Sequence, residues 1–171
     1  MQSLILIGYR GTGKTTVARK LAERLAIPAF DSDPEIERRA GKSIAEIFAQ
    51  DGEPVFRDWE ESVIAEILAG PNPLVLATGG GAILRASTRD RLRQSGRVIW
   101  LTALPETILH RITNDATSKT MRPNLTSLPM HEEIVAVLAQ RKSLYVATAH
   151  ETVDTDYRTI DEIADAILSL F

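Results

Sequence analysis

Gly8-Tyr9-Arg10-Gly11-Thr12-Gly13-Lys14-Thr15 meets the pattern G-x-x-x-x-G-K-[ST] at every fixed position. These are the residue types a polyphosphate needs. Glycines let the backbone turn its N–H groups inward, making a concave anion site. A helix that starts directly after the loop adds its positive end. Lys14 can reach the β- and γ-phosphates, and the Thr15 hydroxyl can ligate Mg²⁺. The loop predicts MgATP binding, with Gly11, Thr12, Gly13, Lys14, Thr15 and Thr16 around the phosphates. The competing reading is a plain strand-to-helix turn with a solvated lysine. The apolar run before the loop and the helical pattern after it favour the phosphate site.

A second group follows a short apolar stretch: Asp31-Ser32-Asp33. Two carboxylates at the end of a strand can divide labour, one toward a metal and its waters, the other toward an acceptor hydroxyl. The simpler alternative, slightly favoured by spacing alone, has Asp33 capping a helix that begins at Pro34, with Asp31 in a turn. Arg57 follows Phe56 and can offer a bidentate fork to a carboxylate. Taken alone, an intrahelical pair with Glu60 or Glu61 is the simpler reading. Arg141, likewise, reads alone as a surface helix arginine. Gly79-Gly80-Gly81 ends an apolar run. Three glycines cost backbone entropy, and close approach of a ligand explains them better than a tight turn, which needs fewer. Arg122-Pro123 lies in a polar stretch and reads either as an arginine that covers transferring phosphates or as a mobile surface charge. His110, His131 and His150 lack metal-site spacing and are given no role.

The elements that must position these residues alternate strand and helix, which predicts a parallel sheet covered on both faces. Strands are expected at 4–7, 29–30, 74–77, 98–101 and 152–153. Helices are expected at 14–25, from 33, from 43 (a Ser43/Glu46 capping box), and at 53–69, 105–111, 132–145 and 160–170. Residues 113–129 are polar, hold two prolines and lack periodicity, so they read as a mobile lid. Trp59 and Trp100 fit core positions.

Composition bounds the rest. The 171 residues suit one domain, 1–171, and 44% hydrophobic with 25% charged residues is ordinary for a globular protein. A net charge of -3 argues against nucleic acid as a partner. With no cysteine, disulfides, thiolate metal sites and a cysteine nucleophile are excluded. The apolar run at 4–7 is too short for a membrane span or signal segment, so a cytoplasmic location without membrane contact is expected. A monomer is the default, since no sustained apolar surface stripe is evident.

Taken in order, GYRGTGKTT, FDSD, FRDWE, LATGGG, RPNL and RKSLY resemble the shikimate kinase family over nearly the whole chain. The resemblance implies a three-layer α/β/α P-loop kinase fold with a five-stranded parallel sheet in order 2-3-1-4-5. It implies transfer of the ATP γ-phosphoryl group to the 3-hydroxyl of shikimate, with Mg²⁺ as cofactor. It reverses the simpler readings of Asp33, Arg57 and Arg141. By that likeness Asp33 binds the acceptor hydroxyl, Asp31 and Thr15 hold the metal, and Arg57 and Arg141 clamp the shikimate carboxylate. Gly79, Gly80 and Gly81 line the ring, Lys14 and Arg122 serve the phosphates, and Arg111 lies against adenine opposite residues 156–160. The substrate-binding region is implied at about 32–61. Three features depart from the family: Ser143 and Ile160 stand where proline is common, and the lid, with Thr117, Ser118, Lys119 and Thr120, is slightly long. The alternatives are a kinase of another polyol acid such as gluconate, disfavoured by the arginine pair, and a catalytically silent nucleotide-binding relative.

Overall fold

The continuous apolar run near the N-terminus becomes a central strand. In the computed structural model, which describes residues 2–114 and 128–171, β1 spans Ser3–Ile7 and all five residues are buried. Four further strands join it: β2 (Ala29–Asp31), β3 (Val75–Ala77), β4 (Gly96–Thr102) and β5 (Glu151–Asp154). Their order is β2-β3-β1-β4-β5, and every neighbouring pair is parallel. The expected order 2-3-1-4-5 is therefore the observed one.

Alternation along β1 shows why both faces are covered. Ile5 and Ile7 face one way, into a cluster with Leu76, Val98, Ile36, Ile44, Phe56, Ile64 and Tyr145. Leu4 and Leu6 face the other, against Val75, Ile99, Leu101, Val17, Leu21, Ile163 and Ile167. A strand buried on both faces needs apolar side chains at consecutive positions. Each such side chain contributes about 1.5–3 kcal/mol by burial.

The first face is covered by α2 (Ser32–Ala40), α3 (Ile44–Gln50), α4 (Glu53–Ala69) and α5 (Ala86–Ser95), and also by α7 (Met130–Thr148). α1 (Lys14–Leu25) and α8 (Ile160–Leu168) cover the second, while α6 (Pro105–Asn114) packs against α7 near the phosphate loop. The arrangement is the three-layer α/β/α fold. The capping box of α3 is present, with the Ser43 N–H donating to Glu46 Oε2 at 2.7 Å and the Glu46 N–H donating to Ser43 Oγ at 3.2 Å. α5 was not expected. Its sequence ASTRDRLRQS buries only Thr88 and Leu92, so it carries no apolar stripe to announce a helix. Of the lid expected at 113–129, residues 115–127, with Arg122, lie outside the described residues. Among the described residues no helix is long and apolar enough to cross a membrane.

The turn out of β1 depends on Gly8. Its φ is +146°, and a Cβ there would lie 2.5 Å from the carbonyl oxygen of Leu101 in β4. That oxygen belongs to backbone and cannot step aside. Gly8→Ala is expected to cost about 2–4 kcal/mol of stability. Denaturant unfolding checks this; an unchanged midpoint would show that the turn tolerates a side chain.

Candidate functional site

In an open parallel sheet, ligands bind beyond the carboxyl ends of the strands. The residues singled out by type and spacing are gathered there, at the ends of β1, β2, β3 and β5.

The loop after β1 is held in shape by its own side chains. Lys14 Nζ donates to the carbonyls of Gly8 and Tyr9, each at 2.8 Å. Thr12 Oγ1 donates to the Tyr9 carbonyl at 2.8 Å. Gly13 precedes α1 without a side-chain cap, so no capping oxygen takes the N–H groups of the first turn. Thr16 is exposed on that first turn. Such a terminus suits an anion.

Two contacts of this loop were not foreseen. Tyr9 is buried against Ile108, Ile112, Ile134 and Val137, which come from α6 and α7. Arg10 Nη2 donates to Glu133 Oε1 at 3.1 Å, and Glu133 is itself buried in the first turn of α7. The phosphate loop is therefore braced by both helices that flank residues 115–127. Arg10 and Glu133 lie 123 positions apart, and no local pattern connects them.

Beyond β2, Thr15 Oγ1 donates to Asp31 Oδ2 at 2.5 Å. This contact joins the loop to the carboxylate pair. The helix boundary differs from the expected one: α2 starts at Ser32, and the cap is Asp31, whose Oδ1 accepts from the Asp33 N–H at 3.1 Å. Asp33 lies inside the first turn, so its carboxylate is not spent on capping. Pro34 only had to stand early in the helix, which Ser32 as the first residue satisfies.

Burial pushes the Asp31 carboxyl above its ordinary value, and the charge of Asp33 adds to the shift. The Thr15 hydroxyl and the Asp33 N–H oppose it in part. A raised folded-state value means that this group favours the fold at acid pH, below the ordinary carboxylate value of about 4. That contribution is lost as the pH rises through the raised value. Asp31→Asn keeps both the cap and an acceptor for Thr15. In EDTA, its melting temperature is expected to gain on the parent as the pH is raised from the acid side toward 8. A gap that is constant across pH would contradict this.

Beyond β3, the three glycines serve the protein's own packing. Ser32 Oγ accepts from the Gly79 N–H at 3.0 Å. A Cβ on Gly80 would lie 3.4 Å from both the Arg10 nitrogen and the Gly8 oxygen, so this turn abuts the phosphate loop. A Cβ on Gly81 would lie 2.6 Å from Arg57 Cζ. The run of small residues, read from sequence as room for a ligand, makes room first for the Arg57 guanidinium and the phosphate loop.

Arg57 is buried on α4 and makes the expected intrahelical pair with Glu60, together with a second one to Glu53. Its Nη1 donates to Glu60 Oε2 at 2.5 Å, and its Nε and Nη2 donate to Glu53 Oε1 at 3.2 and 3.1 Å. Glu61, the other expected partner, instead accepts from Arg85 at 2.8 Å. Arg141 of α7 donates to the Gly80 carbonyl at 3.3 Å, and the Tyr145 hydroxyl donates to the same oxygen at 2.6 Å. Arg141 is buried rather than a surface arginine. Two guanidinium groups thus meet at Gly80-Gly81. Tyr145, which was not singled out, is fixed by stacking on Trp100 with ring centroids 5.3 Å apart.

Arg111 of α6 reaches across to the end of β5. It donates to Thr155 Oγ1 at 2.9 Å, the Thr155 carbonyl at 2.8 Å and the Gly11 carbonyl at 3.3 Å. It thereby links the phosphate loop to the start of residues 156–160. Among the described residues no group of three or more His, Cys, Asp or Glu side chains could hold a metal. A cation here would rest on few protein oxygens plus phosphates and water, the usual habit of Mg²⁺.

Comparison with known proteins agrees with this geometry. The family model described as shikimate kinase matches residues 10–171. The chain is 44% identical to a shikimate kinase of Rhodopirellula baltica, an alignment covering 98% of this chain and 89% of the relative. It is 41% identical to that of Symbiobacterium thermophilum, covering 97% and 94%. The solved shikimate kinase of Acinetobacter baumannii in complex with shikimate superposes with a TM-score of 0.92 at 39% identity, covering 99% of this chain and 92% of that one. With a phosphate loop, a carboxylate pair and two arginines set on one sheet edge, and with relatives matching end to end, the chain belongs to the shikimate kinase family.

Proposed function

We propose that this protein transfers the γ-phosphoryl group of ATP to the 3-hydroxyl of shikimate, giving shikimate 3-phosphate and ADP. The observation that carries this reading is the meeting of Arg57 and Arg141 at Gly80-Gly81, in van der Waals contact with the phosphate loop. An acceptor anchored there by a carboxylate lies beside the loop that would hold the phosphates.

Each residue has work to do in that reading. The loop N–H groups and Lys14 take the phosphate charge. Thr15 and Asp31 would hold Mg²⁺, which would supply further charge neutralisation. Their two oxygens stand 2.5 Å apart, and the desolvated Asp31 beside Asp33 gains from a nearby cation. Arg57 and Arg141 grip the carboxylate of shikimate, and Gly79 to Gly81 bring backbone against its ring. Asp33 orients the 3-hydroxyl and accepts its proton as the new O–P bond forms and the bond to the β-phosphate oxygen breaks. Phosphoryl transfer needs positioning more than covalent help, so orientation is the larger part of that role. Arg111 flanks the adenine. Arg122, outside the described residues, is assigned to the transferring phosphate by its place in the RPNL segment.

The test is ADP release with shikimate, gluconate, nucleoside monophosphates and water as acceptors. Turnover with shikimate alone is expected. Equal turnover with gluconate, or none with any acceptor, would overturn the assignment.

A further inference from the structure

Arg57 has two acidic partners of very different character. Glu60 is buried, with 3% of its side chain exposed, while 53% of the Glu53 side chain is exposed in the first turn of α4. The guanidinium also lies over the Phe56 ring, 4.9 Å from its centroid. Glu60 takes Nη1. The side carrying Nη1 and Nη2 faces Gly81, as the place of a Cβ there shows. A single oxygen of Glu53 bridges Nε and Nη2. That is the edge by which an arginine grips a carboxylate with two parallel hydrogen bonds. Arg141, in contrast, has no carboxylate partner among the described residues and donates to a neutral carbonyl.

We propose that Glu53 is a placeholder: its carboxylate occupies the Nε/Nη2 edge of Arg57 until the acceptor's carboxylate displaces it. This rests on the reading of Arg57 as the partner of that carboxylate. Glu60 is the permanent counterion and keeps the guanidinium aimed at Gly81. Glu53 is the exchangeable one: it turns to solvent when displaced, at little cost for a side chain already half exposed. Substrate binding is then an exchange of one carboxylate for another. It leaves the charge around Arg57 nearly constant, and an acceptor without a carboxylate finds the edge already taken.

The experiment is calorimetric binding of shikimate, and of its uncharged carboxamide, to the parent and to Glu53→Gln, Glu53→Ala and Arg57→Ala, each checked for folding by thermal melting. Both Glu53 variants are expected to bind shikimate about fivefold more tightly, and Glu53→Ala, which leaves the edge open, to bind the carboxamide more tightly than the parent does. If Arg57→Ala weakens shikimate binding but neither Glu53 variant strengthens it, the placeholder role is wrong and the reading of Arg57 stands. Weaker binding by the Glu53 variants would show instead that Glu53 helps to aim Arg57, which also overturns the proposal. Normal binding by Arg57→Ala would overturn both readings together.

Discussion

Replacing Lys14 with alanine is expected to lower kcat/KM for phosphoryl transfer by about 10²–10³-fold, with shikimate binding close to normal. The size follows from the reaction. Negative charge moves from the γ-phosphoryl group toward the leaving oxygen, and a fixed cation in a water-poor loop stabilises that shift. Lys14 is 9% exposed and anchored to two loop carbonyls, so little reorganisation is needed when nucleotide arrives. Lys14→Arg should not rescue the rate, because a planar fork does not fit where a compact ammonium points between the Gly8 and Tyr9 carbonyls. The variant should also lose stability, by about 1–3 kcal/mol, because it removes hydrogen bonds that shape the loop. Steady-state kinetics with ATP varied, beside calorimetry with shikimate, separates the two sites. A loss below tenfold would mean that the loop N–H groups and the metal carry the charge without the lysine.

Arg57→Ala has the other large effect, and it acts at two levels. In the proposed function it removes half of the clamp on the acceptor's carboxylate. The KM for shikimate should rise about 10²-fold, with a smaller change in the KM for ATP. In stability it removes the guanidinium that is paired with Glu60, a carboxylate that is 3% exposed. Breaking a buried pair from one side costs about 3–5 kcal/mol. Adding Glu60→Gln to Arg57→Ala tells the two effects apart. The neutral amide should restore part of the lost stability and none of the shikimate affinity. Recovery of both would mean that Arg57 serves the helix and not the substrate. A single scan of melting temperature and shikimate KM across the parent and the two variants decides this.

Much of the fold was readable because its signals are local. The apolar run in β1, the Ser43/Glu46 box and the glycine-lysine loop each act over a few residues, and each formed where expected. The same holds for the loop proposed to take the phosphates, whose parts are contiguous in the chain. α5 was missed because an exposed helix with two buried residues leaves no period to read. The cap of α2 was misplaced by two residues, because Asp31 and Asp33 are chemically identical and only backbone geometry distinguishes them.

The sequence by itself determined a nucleotide-binding kinase fold, with every residue type its chemistry needs, since loop shape and strand burial follow from neighbours along the chain. The tertiary structure decided which groups meet. It brought Arg57 and Arg141, 84 positions apart in sequence, together at Gly80-Gly81. It tied Arg10 to Glu133, and it gave Arg57 both a buried and an exposed counterion. Such contacts depend on how separate helices pack on the sheet, and no spacing rule spans those distances.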